Sequence, residues 1–554
     1  MLEKDRNTQL MTTRTEKRLK IILIATAFVF SILIIRSANL IFFSNISIKA
    51  PENISKVERG FIKDRRGEKL ALSFETFSIY ARPREIENKT KTAEELAKIL
   101  PVDYRRIITL LNSKKSFVWI IRQVDLKYRK SIEKLELPGI YLEKEYRRYY
   151  PFGNLASHVV GFAGTDNVGL EGVEYYFNSA LMPESTDPNF KYIRGNDVIL
   201  TLDSFVQEIV EEELDSALNS TGARSVTAIV MNVKTGEILA LANKPDYDLN
   251  RFKEFPPESR RNRAITDVFE PGSTFKIFIA SILLDEGIIN TSEEFICKGA
   301  VKIGNTIIHD TGIHGTVNLE KILQKSCNVG MIKAVEYIDN SLMYDRLRSF
   351  GFGSPTGINL PGEAQGILRK PSKWSQLSKY EIAIGQEVAV SALQLISAAS
   401  AIANGGILMQ PRIVKEIKNS KGKIIKRYEP IPIRRVISAE TSEKMLEMLT
   451  KVLEPGGTGY KAYIEGYKIA GKTGTAQIAD TENGGYLENQ FYASFVGFLP
   501  VPEPKIAILV TLDRPVGEVY GGQTAAPIFK KIVERIAPYL NILPSFSEIY
   551  VLNY

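Results

Sequence analysis

The chain has 554 residues, of which 44% are hydrophobic and 25% are charged, and its formal net charge at pH 7 is +8. This composition is typical of a folded protein and excludes a largely disordered one, and at about 150 residues per domain the length predicts two to four domains. The basic residues are spread along the chain without a long basic tract, so nucleic-acid binding is not expected.

The first predicted element is a membrane-spanning helix over residues 21–43. Residues 21–35, IILIATAFVFSILII, are uncharged and almost wholly apolar, and the apolar character continues after Arg36. A helix of this length spans about 35 Å, which is enough for the hydrocarbon core of a bilayer. Basic residues are concentrated before the run, which predicts a cytoplasmic tail over residues 1–20. A cleaved signal peptide is the alternative.

Residues 44–200 are predicted to form an elongated α+β module, which we call the pedestal. The segment contains short alternating stretches, such as SFVWII at 116–121, separated by turn signals. Its charged motifs RGFIKD and GLEGVEYY accompany no catalytic constellation. We therefore expect Arg59 or Arg65 to pair with Glu171 and to stiffen the pedestal, the alternative being independently solvated charges.

A second domain is predicted over residues 201–543. Residues 204–218 have apolar positions at helical spacing, and residues 228–243 indicate a hairpin around a Lys-Thr-Gly turn. Three further strands and a final helix are predicted in YKIAGKTGTAQI, ENQFYASFVGFLP, KIAILVTLD and AAPIFKKIVERIAPYL. We expect the five strands to form one antiparallel sheet, which the mainly helical insertion 262–450 covers and extends into a second lobe. Residues 544–554 remain as a C-terminal tail.

The segment EPGSTFK, residues 270–276, places a serine one turn before a lysine at the start of an apolar run. The ordinary interpretation is that Ser273 caps the helix and that Lys276 covers its first turn. A lysine at the mouth of a buried helix is costly, however, unless its charge is paired or removed. A neutral Lys276 can accept the hydroxyl proton of Ser273, which makes Ser273 a candidate nucleophile.

Two further motifs lie downstream. QKSCNVG contains Ser326 and Asn328 after a short predicted helix, and alone it is a turn signal. AGKTGTAQ, residues 470–477, lies on a predicted strand and contains Lys472, with glycines such as Gly474 that allow a ligand backbone to approach closely. The same stretch completes a phosphate-binding-loop pattern, but that loop must open a helix, and here a strand is predicted instead.

No metal site or cofactor is expected. The two cysteines, Cys297 and Cys327, show no metal-ligand spacing and could form at most one disulfide bridge. His309 and His314 lack the helical spacing of a zinc motif and are interpreted as loop residues. With only His158 besides, a Ser-His-Asp triad has few possible bases, so a serine nucleophile would use another base.

The serine-lysine, serine-asparagine and Lys-Thr-Gly elements occur in the order found in penicillin-binding proteins and class A β-lactamases. Together they identify a resemblance to the class B penicillin-binding proteins, the membrane-anchored D,D-transpeptidases that cross-link peptidoglycan. The resemblance extends through RGFIKDRRGEKLA at 59–71, RRYYPFGNLASHVVGF at 147–162, GLEGVEYYFN at 169–178 and NRAITDVFEPGSTFK at 262–276. It implies the α/β fold of the transpeptidase domain, with the pedestal as a dimerisation-type domain before it.

The resemblance also implies roles for single residues. Ser273 is the acylated nucleophile, and Lys276 is its base. Ser326 relays protons to the leaving amine, Asn328 holds the substrate amide, and Lys472 supplies positive charge that keeps Lys276 neutral. The residues that bind the substrate are three consecutive ones on one predicted strand, Thr473, Gly474 and Thr475.

The resemblance further implies the ligands and the reaction. Stem peptides ending in D-Ala-D-Ala are the substrates, β-lactams acylate the same serine, and the oxyanion hole consists of the backbone N–H groups of Ser273 and Thr475. Cys327 departs from the aspartate familiar in the middle of this motif in class A β-lactamases, and their deacylating glutamate has no counterpart. A D,D-carboxypeptidase or β-lactamase remains an alternative, as does a non-catalytic β-lactam sensor or division scaffold.

Among the class B proteins, the chain most resembles the division-specific type. The resemblance rests on the short cytoplasmic tail and on stretches such as HVVGFAGTDNVGLEGVEYYFN. This resemblance implies a single-pass protein of the cytoplasmic membrane. Its N-terminus would lie in the cytoplasm, and its catalytic domain would lie in the periplasm or outside the cell. A multi-pass lipid-II glycosyltransferase and other divisome proteins are the implied partners, and Arg36 is a candidate contact within the membrane helix.

Overall fold

The computed structural model describes residues 57–183, 194–480 and 483–544, together with residues 24, 26, 28, 30 and 31. Residues 24, 26, 28, 30 and 31 are helical and belong to the predicted membrane helix 21–43. The rest of that predicted helix, the tail 1–20 and nearly all of the tail 544–554 lie outside the described residues. Within the described ranges, no helix has both the length and the apolarity needed to cross a bilayer. Met1–Ile54 and Ser55–Tyr554 are separate units.

The regular elements of the described ranges are numbered in chain order. The strands are β1 (Ile62–Lys63), β2 (Lys69–Ala81), β3 (Val118–Val124), β4 (Ile140–Tyr149), β5 (Asp197–Leu200), β6 (Ser225–Asn232), β7 (Ile238–Lys244), β8 (Phe295–Cys297), β9 (Ala300–Ile303), β10 (Thr306–His309), β11 (Gly315–Val317), β12 (Ile407–Met409), β13 (Val414–Lys418), β14 (Ile424–Arg427), β15 (Pro432–Arg435), β16 (Ala470–Ala479), β17 (Tyr486–Leu499) and β18 (Ile506–Asp513).

The helices are numbered separately from the strands. They are α1 (Lys89–Ile99), α2 (Tyr104–Leu111), α3 (Arg129–Glu133), α4 (Ser157–Val160), α5 (Gly172–Tyr176), α6 (Asn178–Leu181), α7 (Ser204–Thr221), α8 (Pro257–Arg260), α9 (Arg263–Thr266), α10 (Lys276–Asp285), α11 (Leu319–Lys325), α12 (Asn328–Ala334), α13 (Asn340–Ser349), α14 (Ser378–Ala383), α15 (Ala392–Ala403), α16 (Ala439–Thr450) and α17 (Ala525–Tyr539).

The predicted five-stranded antiparallel sheet is confirmed, in the order β16-β17-β18-β6-β7. Of its three inner strands, β6 and β18 are buried along almost their whole length, and β17 is buried over its second half. Helices α7 and α17 pack on each other and on the sheet, and α15 packs on β6 and β18. Because β6 and β18 are covered by helices, most of their positions are apolar, and the sequence shows apolar runs such as AIVM and IAILV. The sheet ends at β16, which leaves this strand as an edge.

The predicted boundary at residues 200 and 201 does not separate two sheets. Strand β5 pairs with β1 on one side and with β13 on the other, and β13 in turn pairs with β14. Strands β13 and β14 belong to the insertion 262–450, so the insertion completes the sheet of the pedestal as well as covering the second domain. The reason is that the open side of β5 carries unpaired backbone N–H and C=O groups, which a further strand satisfies.

The predicted pairing of Arg59 with Glu171 is wrong. Arg59 forms its ion pair with Glu174, at 2.6 Å, and both side chains are completely buried. Arg148 approaches the other carboxylate oxygen of Glu174 at 2.5 Å. Glu171 precedes helix α5, whereas Glu174 lies inside it, and the turn of the helix directs only the second carboxylate into the pedestal.

Arg65 does not pair with Glu171 either. Its guanidinium lies 3.3 Å from Glu237, which links the pedestal to the hairpin of the second domain. The cation facing Glu171 is Arg260, at 3.8 Å, and the side chain of Glu171 is 36% exposed. The charged pedestal motifs therefore do form ion pairs, but with partners distant in sequence.

Candidate active site

Ser273 lies in a single 3-10 turn, Gly272–Phe275, that leads directly into helix α10. Residues three apart eclipse each other in such a turn, so Ser273 and Lys276 share a face, as predicted. The turn rests against strand β16: Gly272 has φ +53°, and a Cβ there would lie 2.6 Å from the carbonyl oxygen of Thr475. A glycine is therefore required for the serine to approach this strand.

Lys276 is completely buried at the start of α10. Its Nζ donates to the backbone oxygen of Ser326 and to Oδ1 of Asn328, both at 2.6 Å, and lies 3.4 Å from Oγ of Ser326. Burial lowers the pKa of Lys276 to about 8, although Asp310 and Cys327 act in the opposite direction. An amine with this pKa exchanges its proton near neutral pH, as a general base must.

Ser326 follows helix α11 in a left-handed conformation, with φ 58° and ψ 34°. Such a conformation is uncommon for a residue other than glycine and is found preferentially at functional sites. Lys472 donates to Ser326 Oγ at 3.0 Å, so this hydroxyl lies between the two lysine amines. A hydroxyl in this position can pass a proton between its neighbours.

Lys472 is also completely buried, on strand β16. Burial lowers its pKa well below the usual value, and the charge of Lys276 lowers it further. Two ammonium groups around one buried hydroxyl disfavour each other, which makes the loss of one proton easier. The role of Lys472 as the charged partner stays a prediction.

The predicted substrate-binding residues lie on edge strand β16. Thr473 Oγ1 donates to Thr458 Oγ1 at 2.9 Å, and Thr475 Oγ1 accepts the N–H of Gly521 at 3.0 Å. The space beside Gly474 is filled by the protein itself, because a Cβ there would lie 2.8 Å from the carbonyl oxygen of Pro271. This glycine therefore allows the turn that carries Ser273 to approach the strand.

A cavity of about 690 Å³ brings these elements together. Predicted residues from all three motifs line it, namely Ser273, Ser326, Asn328, Thr473 and Thr475. Lys276 and Lys472 are both buried, and their amines lie 3.4 and 3.0 Å from Ser326 Oγ. The structure thus places residues that are far apart in sequence around one cleft, while their individual roles remain predictions.

Sequence reasoning missed a cluster behind the serine-asparagine motif. The donor atoms of Cys297, Asp310, His314 and Cys327 all lie within 4.8 Å of one another. The two cysteines are free thiols, so the bridge left open by the sequence is not formed. The signal was weak because Asp310 is 13 residues from Cys297 and 17 from Cys327, outside the usual zinc-motif spacings.

Two domain families match the chain. Residues 226–534 match the penicillin binding protein transpeptidase domain, and residues 54–209 match the penicillin-binding protein dimerisation domain. The first match covers the five-stranded sheet and all three motifs, and the second covers most of the pedestal.

Curated relatives are similar over most of their length. Stage V sporulation protein D of Bacillus subtilis is 36% identical, over 89% of this chain and 80% of that protein. The probable peptidoglycan D,D-transpeptidase PenA of Neisseria gonorrhoeae is 33% identical, over 95% and 94% respectively. The peptidoglycan D,D-transpeptidase FtsI of Escherichia coli K12 is 33% identical, over 88% and 84%.

Solved structures agree with the fold. Penicillin binding protein 3 of Mycobacterium tuberculosis, complexed with aztreonam, superimposes with a TM-score of 0.73 at 29% identity, covering 88% of this chain and 98% of that one. A peptidoglycan synthetase from Bifidobacterium adolescentis gives a TM-score of 0.71 at 26% identity, covering 89% and 97%.

Proposed function

This chain belongs to the penicillin-binding proteins as a class B member of the division type, and we propose that it cross-links peptidoglycan stem peptides through an acyl-enzyme on Ser273. The protein is a peptidoglycan D,D-transpeptidase of cell-wall synthesis. One observation carries the assignment of its residues: Ser326 Oγ lies between the amines of Lys276 and Lys472, beside the cleft that Ser273 lines.

Acylation begins when Ser273 Oγ attacks the carbonyl carbon between the two terminal D-alanines. Neutral Lys276 takes the hydroxyl proton, and the backbone N–H groups of Ser273 and Thr475 bind the resulting oxyanion. The C–N bond then breaks, and the proton passes from Lys276 through Ser326 to the amine of the departing D-alanine. This route needs a hydroxyl beside the base, and Ser326 Oγ is 3.4 Å from Lys276 Nζ.

Deacylation reverses these steps with a different amine. The acceptor amine of a second stem peptide attacks the ester carbonyl, loses a proton along the same path, and releases Ser273. The donor peptide lies along edge strand β16, whose outer backbone groups can pair with an extended chain. Thr473 and Thr475 would bind the carboxylate of that peptide from the same strand.

β-Lactams follow the first step and stop there. Ring opening leaves the amine attached to the acyl group, so no separate leaving group departs from the cleft. Hydrolysis would need a base that activates water, and the class A glutamate has no counterpart in the sequence. We therefore favour transpeptidation over the β-lactamase and carboxypeptidase alternatives.

The partners follow from the chemistry of the product. The matched domains are a transpeptidase and a dimerisation domain, which supports a separate lipid-II glycosyltransferase as the supplier of the glycan strands. We place the catalytic domain outside the cytoplasmic membrane, anchored through residues 21–43, with Arg36 as a contact to a multi-pass partner. Depletion of the protein should block septation and give filaments, whereas rounded cells that still divide would assign it to elongation.

The decisive assay combines labelling with product analysis. Mass spectrometry after penicillin exposure should find one adduct, on Ser273. Cross-linked product formed from a lipid-linked precursor, with a polymerase supplied, would separate a transpeptidase from a sensor, which labels without making product. Steady release of D-alanine without cross-links would instead show a carboxypeptidase.

A further inference from the structure

The cluster behind the active site draws its four side chains from separate elements. Cys297 ends strand β8, Asp310 follows β10, His314 precedes β11, and Cys327 caps helix α12. Both cysteines are at most 1% exposed, the Asp310 side chain is fully buried, and the His314 side chain is 16% exposed. Four donors of three chemical types thus point into one small buried volume.

The distances between the donors fit one metal ion. Asp310 Oδ2 lies 3.0 Å from Cys327 Sγ and 3.5 Å from Cys297 Sγ, and His314 Nδ1 lies 3.9 Å from Cys297 Sγ. Ligands of a tetrahedral zinc ion are separated by about 3.3 to 3.8 Å, as its bond lengths of about 2.0 to 2.3 Å require. Small shifts of the side chains would bring all four donors to these separations.

The types of donor select zinc among the common ions. Two thiolates, one imidazole nitrogen and one carboxylate oxygen suit Zn²⁺, whereas Mg²⁺ and Ca²⁺ prefer oxygen ligands alone. Four protein ligands leave no open position, which is the arrangement of a structural rather than a catalytic ion. We propose that Cys297, Asp310, His314 and Cys327 bind one structural Zn²⁺, with release of the two thiol protons.

Three of the four ligands lie on or beside strands β8–β11, which have little hydrophobic core of their own. Strands β8 and β11 form one two-stranded sheet, and β9 and β10 form another. Several apolar side chains of this region face solvent, among them Ile307, which is 55% exposed, and Ile313, which is 79% exposed. Small units that cannot bury enough apolar surface are commonly held together by a metal.

The ion would also fix the catalytic loop. Cys327 stands between Ser326 and Asn328, and Asp310 follows His309, whose carbonyl oxygen accepts Asn328 Nδ2 at 3.2 Å. Holding Cys327 therefore holds Ser326 in its left-handed conformation and Asn328 against Lys276. This explains the departure noted in the motif, because the middle residue serves as a metal ligand. The ion's effect on acylation rests on the proposed function, whereas its presence does not.

Metal content is the first test. The full-length chain, purified without chelator or reductant from zinc-supplemented cells, should contain about one zinc per chain by elemental mass spectrometry. Cys297→Ser and His314→Ala should fall to background, while His309→Ala, a neighbouring histidine outside the cluster, should keep its zinc. A wild-type chain with zinc at background, or one with a Cys297–Cys327 disulfide, would overturn the proposal.

Two further measurements do not depend on how the variants fold. Wild-type protein stripped of metal and given Co²⁺ should show thiolate-to-cobalt charge transfer and the absorption of tetrahedral cobalt, and absence of both would contradict a Cys-ligated site. The stripped protein should acylate Ser273 with penicillin more slowly, and added Zn²⁺ should restore the rate. An unchanged rate in protein shown to have lost stoichiometric zinc would refute the positioning role while leaving the transpeptidase assignment intact.

Discussion

Arg59 and Arg148 in the pedestal and Lys276 and Lys472 in the active site are two pairs of buried cations with different neighbours. The arginines share the carboxylate of Glu174, which lies 2.6 Å from one and 2.5 Å from the other. The lysines share a serine hydroxyl, and within the described ranges neither forms an ion pair with a carboxylate. Buried charge is therefore compensated by a carboxylate in the pedestal, whereas in the active site burial lowers the pKa of both lysines and so favours loss of a proton.

The residue types suit these two outcomes. Arginine stays charged at any ordinary pH and presents several donors, and Arg59 uses them on Glu174, Asn167 and Asn178 together. Lysine changes its pKa readily when buried, as a catalytic base requires. Burial would raise the pKa of Glu174, but Arg148 and Arg59 lower it below its usual value, so the carboxylate stays ionised.

The largest effect is expected from giving the active site the residue type of the pedestal. Ser273→Ala should abolish penicillin labelling, and Lys276→Arg should slow acylation by about 10²- to 10⁴-fold, since a guanidinium cannot accept the serine proton. Stopped-flow or gel-based labelling measures both rates, with Lys321→Arg, at an exposed position of helix α11, as the matched control. Unchanged penicillin labelling of Ser273→Ala would refute the assignment of Ser273 as the nucleophile.

Removing the counter-charge from the pedestal should have the next largest effect. Glu174→Gln leaves two guanidinium groups buried around a neutral amide, and we expect a loss of about 3 to 5 kcal/mol in the free energy of unfolding. Chemical denaturation of the wild-type and variant proteins measures the difference. A loss below about 1 kcal/mol would show that water reaches Arg59 and that the pair is not truly buried.

The pH dependence of acylation distinguishes the two clusters in a third way. The pKa of Lys276 is about 8, and only its neutral form accepts a proton, so the rate should rise about tenfold per pH unit below this value and level off above it. Penicillin labelling at a series of pH values gives the profile. Lys276→Arg should remove the dependence, and a flat wild-type profile from about pH 6 to pH 8 would exclude Lys276 as the base.

The smallest effect is expected three residues before Glu174. Glu171→Gln changes a side chain that is 36% exposed and lies 3.8 Å from Arg260, so the free energy of unfolding should fall by less than about 1 kcal/mol. The same denaturation experiment compares it with Glu174→Gln. A loss as large as that of Glu174→Gln would mean that both carboxylates contribute equally to the stability of the pedestal.

Local features of this protein could be predicted from its sequence. The short helix predicted before Ser326 is α11, the apolar run after Ser273 forms helix α10, and the five strands of the main sheet lie where apolar runs and turn residues indicated them. Each depends on neighbours within a few residues, so the signal lies within one window of sequence. The three motifs likewise pointed to five of the residues that line the cleft.

Contacts between distant segments were decided only by the tertiary structure. The choice of Glu174 over Glu171 depends on which side of a short helix faces Arg59, and the pairing of β13 with β5 depends on where a long insertion returns to the pedestal. The gathering of Cys297 and Cys327 around Asp310 required two small sheets to fold against one helix. The sequence determined which chemical groups this protein has, while long-range packing determined which of them meet, because burial and partner geometry arise only when distant segments come together.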